Sequence, residues 1–364
     1  MEKFNFWSKK PGGITGTEIW PIQGATGTSG EDWNLDSDDM ATFIKKKIGI
    51  TTIGTGGDYL TVGAAVAAGK YGEFKFLSNV TETGSTSKVA GSEQPFTILP
   101  TNFVWNLSSY TFQYRGVKNI YCAVTNPNFN YNNIDSNTNI YNSTVTLSTT
   151  GGKWINFQNC IITVPNASVT YDTTNIRDSR IVGTNTASVL SFNGGKCINN
   201  HFSGTWATYF LSMVAGTYYP SEFTQNYGGI TGNFSMTGGD TYWLSDNQLE
   251  NVTFINGDIS TTRNIFIDNC HFAAYSASGG AANYYTISNS RFKTLATIPN
   301  HYSSFSNCTF DASVIVPGFT TTFKFALCRF IINLTINSGA TNAKFYGSTV
   351  SGTYTDNGTG TVNL

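Results

Sequence analysis

Polar side chains that could bind an acidic sugar recur in this chain about once every 20 residues. They are Arg180, His201, Gln248, His271, Arg291 and Arg329, with Gly228 and Thr309 at equivalent positions between them. Guanidinium groups form charge-assisted hydrogen bonds with carboxylates and phosphates, and histidine and glutamine add further hydrogen bonds. If each repeat returns the chain to the same place, these residues lie in one line. The simpler interpretation of this line, and the one we favour from the sequence, is a solvated face or a trimer contact. The alternative hypothesis is a cationic, hydrogen-bonding stripe for an acidic glycan or a lipopolysaccharide core.

The stripe depends on a repeat that runs through most of the chain. Residues 264–272 read NIFIDNCHF and residues 284–292 read YYTISNSRF. Each copy has a small residue, here called the anchor, between an Asn and a polar residue. The anchors are Cys122, Ser143, Cys160, Ser179, Asn200, Tyr227, Asn247, Cys270, Ser290, Cys308, Cys328 and Ser348. A step near 20 residues suits one coil of three short strands and three turns, and twelve coils at about 4.8 Å each form a rod of roughly 55 Å.

The columns of the aligned repeat predict the corners and the inside of each coil. The residue before the anchor, here called the corner, is Asn142, Asn159, Asp178, Asn199, Asn226, Asp246, Asn269, Asn289 or Asn307 in nine of the copies. Asn and Asp tolerate the left-handed backbone of a tight corner, and stacked Asn side chains can hydrogen-bond from coil to coil. Two positions after the anchor stand Val124, Val145, Ile162, Ile181, Phe202, Leu249, Phe272, Phe292, Phe310, Phe330 and Val350. Three positions before it stand Phe157, Ile176, Leu244, Ile267, Ile287, Phe305, Phe325 and Phe345. We expect both apolar columns to face inward.

The Asn column beside a small residue resembles the pectate-lyase-like β-helix family. Residues 51–75 strengthen the resemblance, because a strand and a Gly-Asp-Tyr turn lead into a short Ala-rich helix with Thr61 as N-cap and Gly69 as terminator. The resemblance implies an all-β fold, a right-handed single-stranded parallel β-helix of about twelve coils. Residues 51–75 would form its first coil and a capping helix, and residues 76–364 the β-helix itself. The family resemblance implies no particular activity, because function depends on sites placed on a fold.

Cleavage of a glycan is the alternative function, and it requires two carboxylates about 5–5.5 Å or 6.5–9.5 Å apart. Glu222, Asp240 and Glu250 lie on neighbouring coils and are the candidates for such a pair. Asp178 and Asp246 occupy corners and are structural. No Ca²⁺-binding aspartate cluster, zinc spacing or phosphate-binding loop is recognisable, so we expect no metal and no cofactor. We favour binding over a depolymerase, whether polysaccharide hydrolase or lyase, because no catalytic constellation stands out.

An aromatic insertion occupies the longest step of the repeat, and it contains Trp206, Tyr209, Phe210, Tyr218 and Tyr219. Exposed aromatic rings stack on sugars, and loops on a rigid scaffold commonly carry function. We therefore predict that this insertion contacts the glycan. Packing against a neighbouring subunit is the alternative.

The cysteines follow the repeat as well. Five of the six stand at anchors, and Cys197 stands in an inward column. Because Ser replaces Cys at neighbouring anchors, the position selects a small side chain, which predicts free buried thiols rather than disulfides. Cys308 and Cys328 lie on adjacent coils, where parallel side chains suit a bridge poorly.

Composition narrows the class of partner. Charged residues make up 12% of the chain and the net charge is −1, which argues against nucleic acid because phosphate binding needs a basic surplus. No stretch of about 18 apolar residues is present, so we expect no membrane insertion. The first residues lack the apolar run of a signal peptide, so we expect folding in a cytoplasm.

Residues 1–50 are irregular and rich in Gly and Thr, with a short predicted helix over Met40–Ile44 that Asp36 or Ser37 caps. They resemble the small virion-docking heads of phage tail fibres and tail spikes. The resemblance implies a virion protein, made in the host cytoplasm, whose residues 1–50 attach it to other tail or baseplate proteins. It also implies a homotrimer that binds a host surface polysaccharide as its receptor during adsorption.

Overall fold

The chain folds as a parallel β-solenoid. The computed structural model describes residues 19–22, 33–36 and 49–361, apart from residues 88–94, 114–115, 130–137, 148–154, 166, 216–220, 239–240, 257–262, 278–282, 295, 298–301 and 319–321. Over these residues the chain makes about twelve turns with almost no helix, and its strands pair in parallel from one coil to the next. The predicted β-helix architecture is confirmed.

Two strands within the first 50 residues form an antiparallel pair, where the sequence predicted irregular structure. They are β1 (Ile19–Ile22) and β2 (Trp33–Asp36), with strands numbered here in chain order. Ile19 lies opposite Asp36, and Ile22 lies opposite Trp33. Their β-branched and aromatic side chains favour extended backbone. The predicted helix over Met40–Ile44 lies outside the described residues.

Sheet 1 contains the strands that precede each corner. They are β3 (Thr51–Ile53), β4 (Gly72–Phe76), β7 (Phe96–Ile98), β10 (Val117–Ile120), β12 (Thr138–Tyr141), β14 (Ile155–Gln158), the second halves of β16 (Ser168–Arg177) and β18 (Val189–Ile198), β21 (Ser221–Thr224), β23 (Tyr242–Ser245), β25 (Arg263–Asp268), β27 (Asn283–Ser288), β30 (Tyr302–Ser306), β33 (Phe323–Ala326) and β36 (Ala343–Tyr346). Each pairs in parallel with the next along the axis.

Sheet 2 contains the strands that follow each corner. They are β5 (Val80–Thr81), β8 (Val104–Asn106), β11 (Ala123–Thr125), β13 (Thr144–Thr146), β15 (Ile161–Val164), β17 (Arg180–Thr184), β19 (His201–Thr205), the starts of β24 (Gln248–Asn256) and β26 (His271–Ala277), β28 (Arg291–Phe292), β31 (Thr309–Phe310), β34 (Arg329–Phe330) and β37 (Thr349–Val350). A bridge through Tyr227 joins β19 to β24 and continues the sheet.

Sheet 3 forms the remaining side of the coil. It contains the first halves of β16 and β18, the ends of β24 and β26, and β20 (Tyr209–Ala215), β22 (Gly232–Gly238), β29 (Ala296–Thr297), β32 (Val314–Val316), β35 (Leu334–Ile336) and β38 (Tyr354–Asp356). Near the start of the solenoid, β6 (Thr86–Ser87) pairs with β9 (Phe112–Gln113). Three sheets joined by short turns explain the step of about 20 residues.

Left-handed backbone marks the corner between sheets 1 and 2. The corners with positive φ are Asn142, Asn159, Asp178, Asn199, Gln225, Asp246, Asn269, Asn289, Asn307, Leu327 and Gly347. Their amides also hydrogen-bond along the axis, since Asn159 Nδ2 donates to Asn142 Oδ1 at 2.7 Å. Asn307 Nδ2 likewise donates to Asn289 Oδ1 at 2.8 Å. Both roles predicted for this column are confirmed.

One anchor and one corner were wrongly predicted by a single residue. Gln225, with φ of 57°, is the corner, and Asn226 rather than Tyr227 is the anchor. The side chain of Asn226 is completely buried between the anchors Asn200 and Asn247, and it hydrogen-bonds to both. The buried amide therefore decides the register of this coil.

The two predicted apolar columns lie in the core of the solenoid, together with inward residues of sheet 3 such as Leu190 and Leu334. Their members are buried, apart from the partly buried Val350 in the last coil. The rings of Phe305 and Phe325 stack with centroids 5.0 Å apart, and those of Phe310 and Phe330 stack at 5.1 Å. All six cysteines are free and buried, as predicted.

Helix α1 (Val62–Ala67) forms where the sequence predicted it. Thr61 Oγ1 accepts a hydrogen bond from the backbone N–H of Ala64 at 3.1 Å, and Gly69 adopts φ of 75° after the last turn. The sequence did not indicate the role of Glu82, whose side chain is buried below the helix. Its carboxylate accepts hydrogen bonds from the N–H groups of Val62 and Gly63 at 3.0 and 3.1 Å, and from Trp105 Nε1 at 2.8 Å.

Candidate functional site

The stripe is one continuous line of paired residues on sheet 2. From β17 to β34 the line reads Arg180, His201, Tyr227, Gln248, His271, Arg291, Thr309 and Arg329. Tyr227 replaces the predicted Gly228, because the anchor of that coil is Asn226. The strand register shows the alignment on one face that the sequence predicted for Arg180, His201, Gln248, His271, Arg291 and Arg329.

The alternation of side chains along each strand turns the stripe outward. Phe202, Leu249 and Phe330 directly follow stripe residues and are completely buried. Since successive side chains in a strand point to opposite faces, the preceding residues point to solvent. Arg180, Arg291 and Arg329 are accordingly exposed.

The first half of the stripe combines a guanidinium group with two parallel rings. Arg180 Nε donates to Ser203 Oγ at 3.2 Å. The imidazole of His201 stacks on the ring of Tyr227 with centroids 5.0 Å apart and an interplanar angle of 14°. Tyr227 is 47% exposed, so it adds a flat aromatic surface to the stripe. The aligned internal repeat did not predict this surface.

The second half of the stripe carries ion pairs as well as cations. Arg291 Nε donates to Asp311 Oδ2 at 2.7 Å, and Lys293 Nζ lies 2.8 Å from Glu250 Oε2. The hydrogen bond and charge of Lys293 lower the pKa of the Glu250 carboxyl, while Asp311 raises the pKa of Arg291. This half therefore presents both donors and acceptors, and its net positive charge is smaller than the sequence suggested.

Arg329 differs from the other two arginines of the stripe. Among the described residues it makes no side-chain hydrogen bond or ion pair, and it lies between Thr309 and Thr349 in the register. Because the residue is exposed, its guanidinium donors are available to a ligand.

The predicted catalytic carboxylates do not form a pair in the part of the chain that the structure describes. Glu222 lies on β21 of sheet 1 and binds Lys196 at 2.8 Å. Glu250 lies on β24, on the other side of the corner, and binds Lys293. Asp240 lies outside the described residues. A general acid needs a raised pKa, whereas the pKa of Glu250 is lowered.

The aromatic insertion is only partly a surface feature. Trp206 is 7% exposed, and its Nε1 donates to the carbonyl oxygen of Ser203 at 2.8 Å. Its ring packs against Phe202 and against Phe210, which is completely buried. The expectation that Trp206 and Phe210 are exposed and stack on sugar is therefore wrong. Tyr209 is 52% exposed on β20. Tyr218 and Tyr219 lie outside the described residues.

A second aromatic surface, which the sequence analysis did not single out, lies on sheet 1. Trp243 is 49% exposed and stacks on Phe266 with centroids 4.2 Å apart and an interplanar angle of 11°. The two residues are partners in the β23–β25 register. Both stand four positions before an anchor, Asn247 or Cys270, so their spacing in the repeat already places them side by side.

The remaining chemistry of the described residues is limited. Burial raises the pKa of the Cys122 thiol to about 12 and that of the Cys270 thiol to about 11, so both thiols are un-ionised at neutral pH. Within the described ranges, His, Cys, Asp and Glu side chains form no group of three that could hold a metal ion. In the same ranges, no helix has the length and apolar character needed to cross a bilayer.

When the chain is compared with protein-family models, with curated proteins and with solved structures, no match is found.

Proposed function

We propose that this chain is a glycan-binding spike or fibre protein whose stripe contacts an acidic polysaccharide on a cell surface. The observation that carries the proposal is the unbroken register of outward side chains from Arg180 to Arg329. Coils repeat at about 4.8 Å, so a polymer lying along the axis meets a side chain at every coil. Because these side chains stand on rigid strands, binding orders no loop.

The charges of the stripe favour a polymer that carries carboxylates or phosphates among neutral hydroxyl groups. Arg180 and Arg329 make no ion pair within the described residues and offer guanidinium groups to anions. Between them, Gln248, His271 and the Arg291–Asp311 pair offer both donors and acceptors to hydroxyl groups. The net charge of −1 speaks against nucleic acid.

The biological setting that we propose is a phage tail. The rod would be a right-handed β-helix in a homotrimer, with residues 1–50 attached to other tail or baseplate proteins. In support, residues 1–50 resemble in sequence the virion-docking heads of phage tail fibres and spikes, and the Asn corners resemble those of the pectate-lyase-like β-helix family. The mass of the purified protein in solution tests the trimer.

Binding can be tested on immobilised lipopolysaccharides and capsular polysaccharides from a panel of bacteria. The double variant R291A/R329A removes two cations of the stripe and should bind at least about tenfold more weakly than the wild type. The matched control K324A/K344A removes two outward cations of neighbouring coils on sheet 1 and should bind as the wild type does. Equal binding by all three proteins would remove the stripe from the proposal.

A depolymerase on the same scaffold is the competing function. The positions of Glu222 and Glu250 argue for binding rather than cleavage, because the two carboxylates lie on opposite sides of the corner and each forms an ion pair with its own lysine. Incubation of the protein with the polysaccharide that it binds distinguishes the two functions. Release of short oligosaccharides, detected by mass spectrometry, would establish cleavage and contradict a purely binding role.

A further inference from the structure

The outward line of sheet 1 changes its chemistry along the rod. It stands four positions before each anchor from Ser143 onward, whereas its first residue in the register, Asn119, stands three positions before Cys122. It begins with Asn119, Asn139, Asn156 and Asn175 and continues with Lys196, Glu222, Trp243, Phe266, Thr286, Ser304, Lys324 and Lys344. Consecutive asparagines hydrogen-bond to one another, as Asn156 Nδ2 does to Asn139 Oδ1 at 2.8 Å. Their amides therefore stabilise the coils. The middle of the line, from Lys196 to Phe266, has no such repeated pattern.

About half of the Trp243 side chain is open to solvent and to ligands. Phe266, one coil further along the axis, covers the other face at a centroid distance of 4.2 Å. On the side opposite Phe266 stands Glu222, the register partner of Trp243 in the preceding coil. Lys196 Nζ holds the Glu222 carboxylate at 2.8 Å, and both side chains remain partly exposed.

The fold does not require an aromatic ring at Trp243. The neighbouring residues Tyr242 and Leu244 already fill the core below it and are almost completely buried. Tyr284, another large aromatic residue of sheet 1, is 47% exposed. Exposed aromatic groups that lie close together on a rigid sheet mark binding surfaces more often than isolated ones do.

A sugar ring matches this combination of groups. The C–H face of a pyranose packs on an aromatic ring, and its hydroxyl groups need both donors and acceptors at the edge of the ring. Glu222 supplies acceptors and Lys196 supplies donors on the side of Trp243 opposite Phe266. A planar anionic base is a poorer match, because the carboxylate repels its phosphate.

We propose that Trp243, supported by Phe266, is a stacking platform for a neutral pyranose unit, whose hydroxyl groups bind Glu222 and Lys196. The inference rests on the proposed function, because it takes the ligand to be a glycan, but it adds a site on another face. Trp243 and the stripe residue Gln248 flank the corner at Asp246. A branched or folded repeat unit can thus place its neutral sugar on sheet 1 and its acidic sugar on sheet 2.

The experiment compares variants on the same panel of immobilised lipopolysaccharides and capsular polysaccharides. W243A should bind about tenfold more weakly than the wild type, whereas W243F keeps a ring and most of the affinity. The matched control is Y346A, which truncates another sheet 1 residue that is 49% exposed but lies at the far end of the rod. The loss in W243A should not depend on salt, whereas that in R291A/R329A should shrink as salt rises. Thermal melting of each variant checks that the solenoid is intact.

The outcomes distinguish a failure of the Trp243 platform from a failure of the proposed function. If W243A binds as the wild type does while R291A/R329A binds weakly, the platform is wrong and the proposed function stands. If the wild type binds none of the polysaccharides, both proposals fail. If W243A lowers the mass of the protein in solution and leaves glycan affinity unchanged, the aromatic patch is a contact between copies of the chain, and the platform is again wrong.

Discussion

The backbone N–H of Asn226 donates to Asn247 Oδ1 at 3.0 Å, deep inside the solenoid. The same pattern repeats one coil earlier, where Asn200 N–H donates to Asn226 Oδ1 at 3.0 Å. Asn226 Nδ2 also donates to the carbonyl oxygen of Cys197 at 2.8 Å. These three buried anchors link consecutive coils through the interior, in addition to the pairing of their strands.

Replacement of Asn226 by Ala should therefore lower the free energy of unfolding by about 3 kcal/mol. The change leaves the N–H of Asn200 and the carbonyl of Cys197 buried without these partners, at about 1–3 kcal/mol for each group. The midpoint of chemical denaturation measures the loss. The control is Asn337→Ala, because Asn337 is exposed; an equal loss in the two variants would contradict the role of the buried amides.

The corner at Leu327 should be improved by asparagine. Leu327 has φ of 54° and is 68% exposed, so it occupies a left-handed conformation that branched apolar residues disfavour and gains little from burial. Leu327→Asn should stabilise the protein by about 1 kcal/mol. The reciprocal change Asn307→Leu should destabilise it, because it also removes the hydrogen bond to Asn289. Differential scanning calorimetry measures both, and a lower melting temperature for Leu327→Asn would contradict the expectation.

The stability of the first coils should fall as the pH rises. Burial raises the pKa of the Glu82 carboxyl above its ordinary value of 4.5, against the opposing effect of its N–H donors. Glu82 thus holds its proton more tightly in the folded chain than in the unfolded one. Its contribution to the free energy of unfolding is therefore full at a pH below the unfolded pKa, and it is lost as the pH rises through the folded pKa. Denaturation midpoints from pH 4 upward, compared with those of Glu82→Gln, measure the slope. Parallel curves for the two proteins would show that Glu82 does not titrate in this range.

The exposed ion pairs of the stripe should affect binding and leave stability unchanged. Arg291 and Asp311 pair at the surface, where such pairs add little to folding. R291A/R329A should therefore have the same melting temperature as the wild type, while its affinity for the polysaccharide falls and becomes less sensitive to salt. A melting temperature well below that of the wild type would mean that the stripe has a structural role.

The six thiols should react only when the solenoid opens. All of them are buried, and burial raises the pKa of Cys122 to about 12, which removes the reactive thiolate at neutral pH. A maleimide reagent should label the native protein slowly, and it should label all six cysteines in denaturant. Fast labelling of the native protein would show that the coils open locally on the time scale of the reaction.

The sequence alone predicted those features that depend on local rules. Side chains alternate along each strand, so the column of Phe292 had to face inward once the column of Arg291 faced outward. Left-handed corners select Asn and Asp, which made Asn142 and Asn159 visible as a column. Helix α1 is capped by Thr61 before its first residue and by Gly69 after its last turn, and these capping preferences are local as well.

The tertiary structure decided which residues meet between coils, because the distance in sequence between neighbours varies with the length of each turn. The insertion before Asn226 shifted the anchor by one residue, which placed Tyr227 in the stripe and Asn226 in the core. Whether a large side chain faces water also depends on what lies beside it. Trp206 is buried against Phe202 and Phe210, whereas Trp243 remains half-exposed on Phe266. The repeat places Trp243 in an outward column, but Trp206 lies in an insertion that the repeat does not cover, and only the packing of neighbouring coils shows that Trp206 belongs to the core.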